Sequence, residues 1–290
     1  MGFVRPEYLI SPEDLAAKLR NDNLRLFDVS FYLKPNPKGG MIPSSGQPEY
    51  DEGHLPGAAF INQYTHLSDT KSPFGFTRLP DDELIQAFAN AGVSEDSDVV
   101  FYSTGSTMWA TRAWWLLNYC GHRRVAILNG GLNAWKNAGR EVSAEKANYS
   151  PAEWKSTALA QHFATKDDVS AAIDNTGICT VNALPPEVYA GTSNHHYGRR
   201  GHIPGSINVF YDTLLEDEKF RSPEEIKNSL SAAGLLDDRP VIAYCGGGIS
   251  ATIDAFSCLL VGKEDVAVYD GSMGEWAADK SLPLVEGSEP

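Results

Sequence analysis

Cationic side chains are scarce in this chain. It has 24 Lys and Arg against 38 Asp and Glu over 290 residues, a net charge of −14 at pH 7. Nucleic acid requires a basic face for its phosphates, so the balance argues against such a partner, and equally against an anionic membrane surface. No apolar run approaches the length needed to span a bilayer. The N-terminus, Met1-Gly2-Phe3-Val4-Arg5-Pro6-Glu7, lacks the charged-then-apolar pattern of a secretory leader, and a cytoplasmic location is expected. Cysteine is also sparse. The four residues at 120, 179, 245 and 258 form no CxxC pair, which argues against a structural zinc site and against a disulfide scaffold. What remains is a soluble globular composition, 42% hydrophobic and 21% charged, in a chain long enough for two ordinary domains.

Two landmarks recur along the chain. His54-Leu55-Pro56-Gly57-Ala58 returns as His202-Ile203-Pro204-Gly205-Ser206, and Leu128-Asn129-Gly130-Gly131 with Trp135 returns as Tyr269-Asp270-Gly271-Ser272 with Trp276. Between them an apolar run ends in small residues: Val99-Val100-Phe101-Tyr102-Ser103-Thr104-Gly105 in the first half, Val241-Ile242-Ala243-Tyr244-Cys245-Gly246-Gly247 in the second. From the His to the residue after the run is 49 residues and then 43, and from there to the Trp 32 and then 31. Order and spacing are both kept, which indicates a duplicated domain. The first copy is expected at 1–145 and the second at 160–290, with Ser143 to His162 as the connection.

Within each half, strand-like and helix-like patterns alternate. Leu24 to Val29 and Ile178 to Val181 read as buried strands. Pro80-Asp81-Asp82-Glu83 and Ser222-Pro223-Glu224-Glu225 open helices, with proline and acids in the first turn and Ser222 as a cap. Trp109 to Tyr119 and Ala251 to Val261 continue the helical pattern. Alternation of this kind predicts an α/β fold, each copy a mainly parallel sheet with helices on both faces. The tryptophans at 109, 114, 115, 135 and 276 read as packing, and Asp28 and Asp270 as strand-end acids that fix loops by accepting backbone N–H groups.

Cys120, Cys179 and Cys258 sit in apolar patterns and read as small buried hydrophobes. Cys245 differs. It follows an apolar strand directly, and parallel sheets bind ligands outside the carboxyl ends of their strands. Gly246, Gly247 and Gly248 follow, then Ile249, Ser250 and a helix. Glycine permits positive φ, so the amides of Gly246 to Ser250 can face one centre, and a helix N-terminus adds partial positive charge. Such a cradle favours thiolate, the reactive form of cysteine, and can lower a thiol pKa by about one unit or more. Ser103 takes the equivalent place in the first half, so only the second half is equipped for thiol chemistry.

Three chemistries fit a cysteine in such a loop. A cysteine phosphatase needs an arginine after five intervening residues, where this chain has Ala251. A dinucleotide-binding oxidoreductase is suggested by Gly246-Gly247-Gly248-Ile249-Ser250-Ala251 with Asp270 downstream. Only 20 residues follow Asp270, however, too few for the rest of such a domain. Sulfur transfer uses the cradle for a thiolate and then a persulfide.

Leu26 to Leu33, His54 to Phe60, Leu128 to Gly131 with Trp135, and Arg200 to Gly205 resemble the two-domain rhodaneses, which include thiosulfate and 3-mercaptopyruvate sulfurtransferases. The resemblance spans nearly the whole chain. It implies tandem rhodanese-like domains, a non-catalytic first copy, and a second copy in which Cys245 takes sulfur from a small anionic donor and passes it to cyanide, a thiol or a thioredoxin-like acceptor. No metal or organic cofactor is implied. A non-catalytic sulfur-relay module loaded by a partner protein is the alternative. The uncharged loop after Cys245 is similar to that of mercaptopyruvate-preferring members, with Gly247 where a hydroxyl is expected. Arg199 and Arg200 match a position that holds the substrate anion in the family, whereas Val188 stands where a further arginine is expected. Tyr197 is placed at the mouth of the site. His54 matches a position linked to proton transfer, although Pro43, Ser44 and Ser45 stand where an acidic partner is expected. The adjacent His195 and His196 read as solvent-facing.

Overall fold

The computed structural model describes residues 2–35 and 41–290. Met1, at the head of the leader reading and of the expected first copy, lies outside them. Two five-stranded sheets form the frame. The first contains β1 (Leu9–Ile10), β2 (Leu24–Asp28), β5 (Ala59–Phe60), β6 (Asp98–Tyr102) and β7 (Val125–Leu128), with β3 (Phe31–Pro35) and β4 (Met41–Ser45) as an antiparallel hairpin beside it. The second contains β8 (Phe163–Ala164), β9 (Cys179–Asn182), β10 (Ile207–Asn208), β13 (Val241–Tyr244) and β14 (Val266–Tyr269), with a hairpin of β11 (Leu215–Glu216) and β12 (Lys219–Phe220). Their orders are β1-β7-β6-β2-β5 and β10-β9-β13-β14-β8, and every pairing within them is parallel. All four residues of β13 are buried, as a strand covered on both faces requires.

The helices begin where the sequence signals them. Ser222 and Glu225 form a complete capping box at the start of Pro223–Ala232, and three acids open Asp81–Asn90. The duplication extends to side chains. Tyr102 Oη accepts from Leu55 N at 3.2 Å, and Tyr244 Oη accepts from Ile203 N at 3.1 Å. His54 stacks on Tyr50 at 3.8 Å between ring centroids, as His202 does on Tyr189 at 3.7 Å.

The copies meet along two long buried helices, Met108–Tyr119 and Ala251–Leu260. Thr111 and Thr252 share a hydroxyl hydrogen bond of 2.7 Å there, and Trp114 packs edge-on to Phe256 at 4.9 Å. One apolar cluster runs through both copies and includes Trp109, Trp114, Trp115 and Trp276, while Trp135 belongs to a smaller cluster in the first. The segment after Val142 straps back onto the first copy: Tyr149 Oη donates to Gly57 O at 2.7 Å, and Leu159 N to Tyr119 O at 2.8 Å. No helix among the described residues is long and apolar enough to cross a membrane.

Candidate active site

Cys245 directly follows β13, and the loop to Ser250 delivers the chain into the Ala251–Leu260 helix. Its anchors lie mostly in the second landmark. Ser272 Oγ accepts from Cys245 N at 3.1 Å and from Gly248 N at 3.0 Å, and donates to Tyr269 O at 2.7 Å. Met273 N donates to Cys245 O at 3.0 Å and Gly274 N to Gly246 O at 2.9 Å. Ser272 holds φ +48, a left-handed conformation that costs a residue with a Cβ about 1–2 kcal/mol. In the first copy Gly131 takes that place, at φ +55, and a Cβ there would overlap Ser103 O. Ser272 therefore keeps a strained backbone where its hydroxyl ties down two loop amides.

The three glycines differ in what surrounds them. Gly248 alone of the three adopts positive φ, +71, with the Asp270 backbone packed behind it. Gly246 leaves room for Tyr197, whose ring would overlap any Cβ at that position. Gly247 is open, with nothing nearer to an added Cβ than Gly75 O at 3.9 Å. The expected cradle is corrected at one position: the Gly248 amide is taken by Ser272 Oγ and is not available to an anion. For the amides of Gly246, Gly247, Ile249 and Ser250 no acceptor lies in reach among the described residues.

Cys245 itself is 2% exposed, and Gly247 is the one half-exposed residue of the loop. Phe74 and Gly75 of the first copy reach over Gly247 and Gly274. Tyr197 lies against Gly246, and both it and Tyr211 feel the charge of Cys245. Burial raises both phenol pKa values, and the charge of Cys245 adds to that, for Tyr211 after Asp212. The other three thiols are also raised by burial, Cys120 to about 12. On the following helix, Asp254 is fully buried with no hydrogen-bond partner for either carboxyl oxygen among the described residues, and burial pushes its pKa well above the usual carboxylate range.

Several expected site residues have backbone partners of their own. Arg199 donates to the carbonyls of Ala277, Leu282, Trp276 and Asp279 at 3.0, 2.9, 3.3 and 3.0 Å, closing the end of the Ser272–Ala278 helix. Arg200 donates to Gly191 O at 3.1 Å and Ser193 O at 2.8 Å. These donors serve the backbone. His54 is wholly buried, with Nδ1 against Tyr50 O at 2.7 Å and Nε2 against Glu145 O at 3.0 Å. His202 repeats the arrangement with Tyr189 O and Glu289 O, so both rings lock turns and neither nitrogen of His54 is left to face a substrate. His196 is exposed, and the half-buried His195 stands edge-on to Tyr197 at 5.1 Å. Asp28 caps Ser30 N at 2.8 Å as expected. Asp270 does more, accepting from Arg78 N at 2.8 Å and from the Arg112 guanidinium at 2.6 Å.

Ser272, Arg112, Tyr211 and Asp254 were not legible as site residues. Only Ser272 carried a signal, since it breaks the glycine pair of a repeated landmark.

The equivalent loop of the first copy, Ser103 to Thr107, has an internal occupant. The turn between β11 and β12 inserts Glu218, at φ +64, and burial raises its carboxyl pKa while Asn133 and the Gly105 amide oppose that rise. Asn133 Nδ2 reaches Glu218 Oε2 at 3.3 Å, the Thr107 hydroxyl donates to Glu218 O, and Phe220 N donates to Asn129 Oδ1 at 2.9 Å.

A family model described as a rhodanese-like domain matches residues 11–138 and 160–279. A probable 3-mercaptopyruvate sulfurtransferase of Pseudomonas aeruginosa is 33% identical over 287 residues, covering 96% of this chain and 98% of the relative. A thiosulfate sulfurtransferase of Rattus norvegicus is 33% identical over 278 residues, with 92% and 91% covered. Among solved structures, SseA of Escherichia coli, described as a 3-mercaptopyruvate sulfotransferase of rhodanese fold, is similar with a TM-score of 0.81 at 25% identity, over 91% of this chain and 98% of that one. Tum1 of Saccharomyces cerevisiae shares the fold at a TM-score of 0.82 and 20% identity, over 97% and 98%.

Proposed function

The chain belongs to the rhodanese family and is a sulfurtransferase, and from that premise we propose that it carries sulfur as a persulfide on Cys245. The observation that carries the proposal is the loop itself. The carbonyls of Cys245, Gly246, Gly248 and Ile249 and the Gly248 amide are held by neighbours, while the amides of Gly246, Gly247, Ile249 and Ser250 have no acceptor in reach among the described residues. Amides fixed in this way can stabilise an anion without reorganising. The thiolate of Cys245 attacks the outer sulfur of the donor and a sulfur–sulfur bond forms. The bond from that sulfur to the donor breaks, and pyruvate leaves from mercaptopyruvate as its enolate, or sulfite from thiosulfate. Cyanide or a thiol then attacks the outer sulfur and releases the thiolate. Such a sequence is nucleophilic catalysis with ping-pong kinetics.

We take mercaptopyruvate as the favoured donor. Arg199 and Arg200 are engaged by carbonyls, and the loop from Cys245 to Ser250 has no cation to meet a dianion. The burial of Cys245 supports small donors over a partner protein. The acceptor proposed is cyanide, a thiol or a thioredoxin-like protein. The four free, buried cysteines fit the reducing cytosol proposed as its location. Against the dinucleotide alternative, the Asp270 carboxylate is tied to Arg112 and Arg78 N and is not open to a ribose.

The test is thiocyanate formation from mercaptopyruvate or thiosulfate plus cyanide, with mass spectrometry of the donor-treated protein. Turnover is expected with mercaptopyruvate ahead of thiosulfate, and one added sulfur on Cys245. Cys245→Ser should abolish both, whereas Cys120→Ala and Cys179→Ala should retain most activity. Sulfur loading that requires a protein donor would favour the relay module instead.

A further inference from the structure

The peptide group is planar and trans, so fixing a carbonyl fixes the N–H of the next residue in the opposite direction. Thr252 N and Oγ1 hold Ile249 O and so aim Ser250 N–H from within the following helix; the other three cradle amides are set in this way from outside the loop and that helix. Met273 N holds Cys245 O and thereby aims Gly246 N–H, and Gly274 N holds Gly246 O and thereby aims Gly247 N–H. The third carbonyl, Gly248 O, aims Ile249 N–H. Its donor comes from the other domain: Arg112 Nη1, at 3.1 Å.

Arg112 is 1% exposed, on the Met108–Tyr119 helix of the non-catalytic domain. Its Nη2 donates to Phe76 O at 2.9 Å and to Asp270 Oδ1 at 2.6 Å. Its Cζ lies 5.5 Å from the centroid of the Phe163 ring. Asp270 is in turn fixed by Arg78 N, and its backbone backs the left-handed Gly248. A guanidinium offers rigid, planar donors that can meet several acceptors at once, which an ammonium cannot reproduce.

We propose that Arg112 is a positioning residue for sulfur transfer, by which the first domain aims the Ile249 amide of the second domain's cradle through the Gly248 carbonyl. The proposal rests on the persulfide chemistry assigned to Cys245. It gives the first domain a defined part in the reaction although it lacks the cysteine.

The test compares Arg112→Gln, Arg112→Lys and Asp270→Asn in the full chain. Three readouts are used: steady-state sulfur transfer, the pH profile of Cys245 alkylation by iodoacetamide, and thermal unfolding. Removing one oxyanion donor outright typically costs 10²–10³ in kcat, so misaligning one amide in R112Q should cost on the order of tenfold to a hundredfold, with donor KM nearly unchanged. The midpoint of the alkylation profile should move up by about half a pH unit or more as the thiolate loses support. R112K should not restore either value. D270N, which leaves the Gly248 contact in place, should fall between R112Q and the parent chain. A purely structural ion pair would instead lower the unfolding temperature alike in R112Q and D270N and leave the alkylation midpoint where it was. That result, or a parental kcat in R112Q, overturns the proposal. If R112Q fails to fold, R112K is judged by the same criteria. Alkylation needs no turnover, so an inactive parent chain would refute the sulfur-transfer assignment separately.

Discussion

Asp254 ought to weaken the protein in which it is found. Its carboxyl is fully buried on the helix behind the Cys245 loop, and neither oxygen has a partner among the described residues. An unsatisfied buried polar group costs about 1–3 kcal/mol. A second cost depends on pH. Burial raises the folded-state pKa, with the charge of Cys245 adding to it. Below the unfolded pKa both states keep the proton and no such cost exists. Above about 3.9 the unfolded chain releases a proton that the folded chain retains, so stability falls as pH rises, by about 1.4 kcal/mol per unit until the folded pKa is passed. Two substitutions separate these costs. Asp254→Val removes both with little change in helix propensity. Asp254→Asn removes only the pH-dependent cost, because its amide is still unsatisfied. Urea unfolding at pH 5, 6, 7 and 8 should show both variants more stable than the parent chain. Their advantage should widen with pH, with Val ahead of Asn throughout. A pH-independent gap, or a parent chain more stable than Asp254→Val at pH 7, would refute the reasoning.

Two further predictions follow from the site and its surroundings. Gly247→Ser should fold normally and speed mercaptopyruvate turnover, because an added Cβ meets nothing closer than 3.9 Å; Gly246→Ala should displace Tyr197 and slow transfer, and equal rates for the two would count against the assignment of Tyr197 to the loop. His162 is held at about 4 by burial, with the Arg123 charge adding to the effect, so the stability of its neutral form is present above about 6.5 and is lost as pH falls from there through 4. His162→Gln should flatten that part of the acid-unfolding curve, and an unchanged curve would place the acid sensitivity elsewhere.

The frame of the molecule was written locally. Val241 to Tyr244, the Ser222 capping box and the recurrence of His54 as His202 all depend on neighbours close in the chain, and each has its structural counterpart. The site was legible only to the extent that it is local. Cys245 could be singled out because strand, glycines and helix follow one another. The partners of the loop could not: Arg112 meets Gly248 and Asp270 from 136 and 158 residues away. Arg199 and Arg200 show the converse limit, since their spacing from His202 says nothing about which way the guanidinium turns. In the fold, Arg199 turns toward the carbonyls that end a helix. Asp254 gave no signal because a carboxyl in a helical pattern ordinarily reads as a solvated face.

Glu218 bears on why two copies persist in one chain. A duplicated fold starts with two equivalent sockets. One received a nucleophile; the other, without a cysteine, grips a side chain offered by its twin. Each half therefore completes the other at the equivalent loop, and the halves act as mutual ligands. Separated from residues 1–145, the half that carries Cys245 would lose the guanidinium behind its loop and leave Glu218 on an unanchored hairpin. The proposed sulfur chemistry on Cys245 thus rests on contacts from both halves.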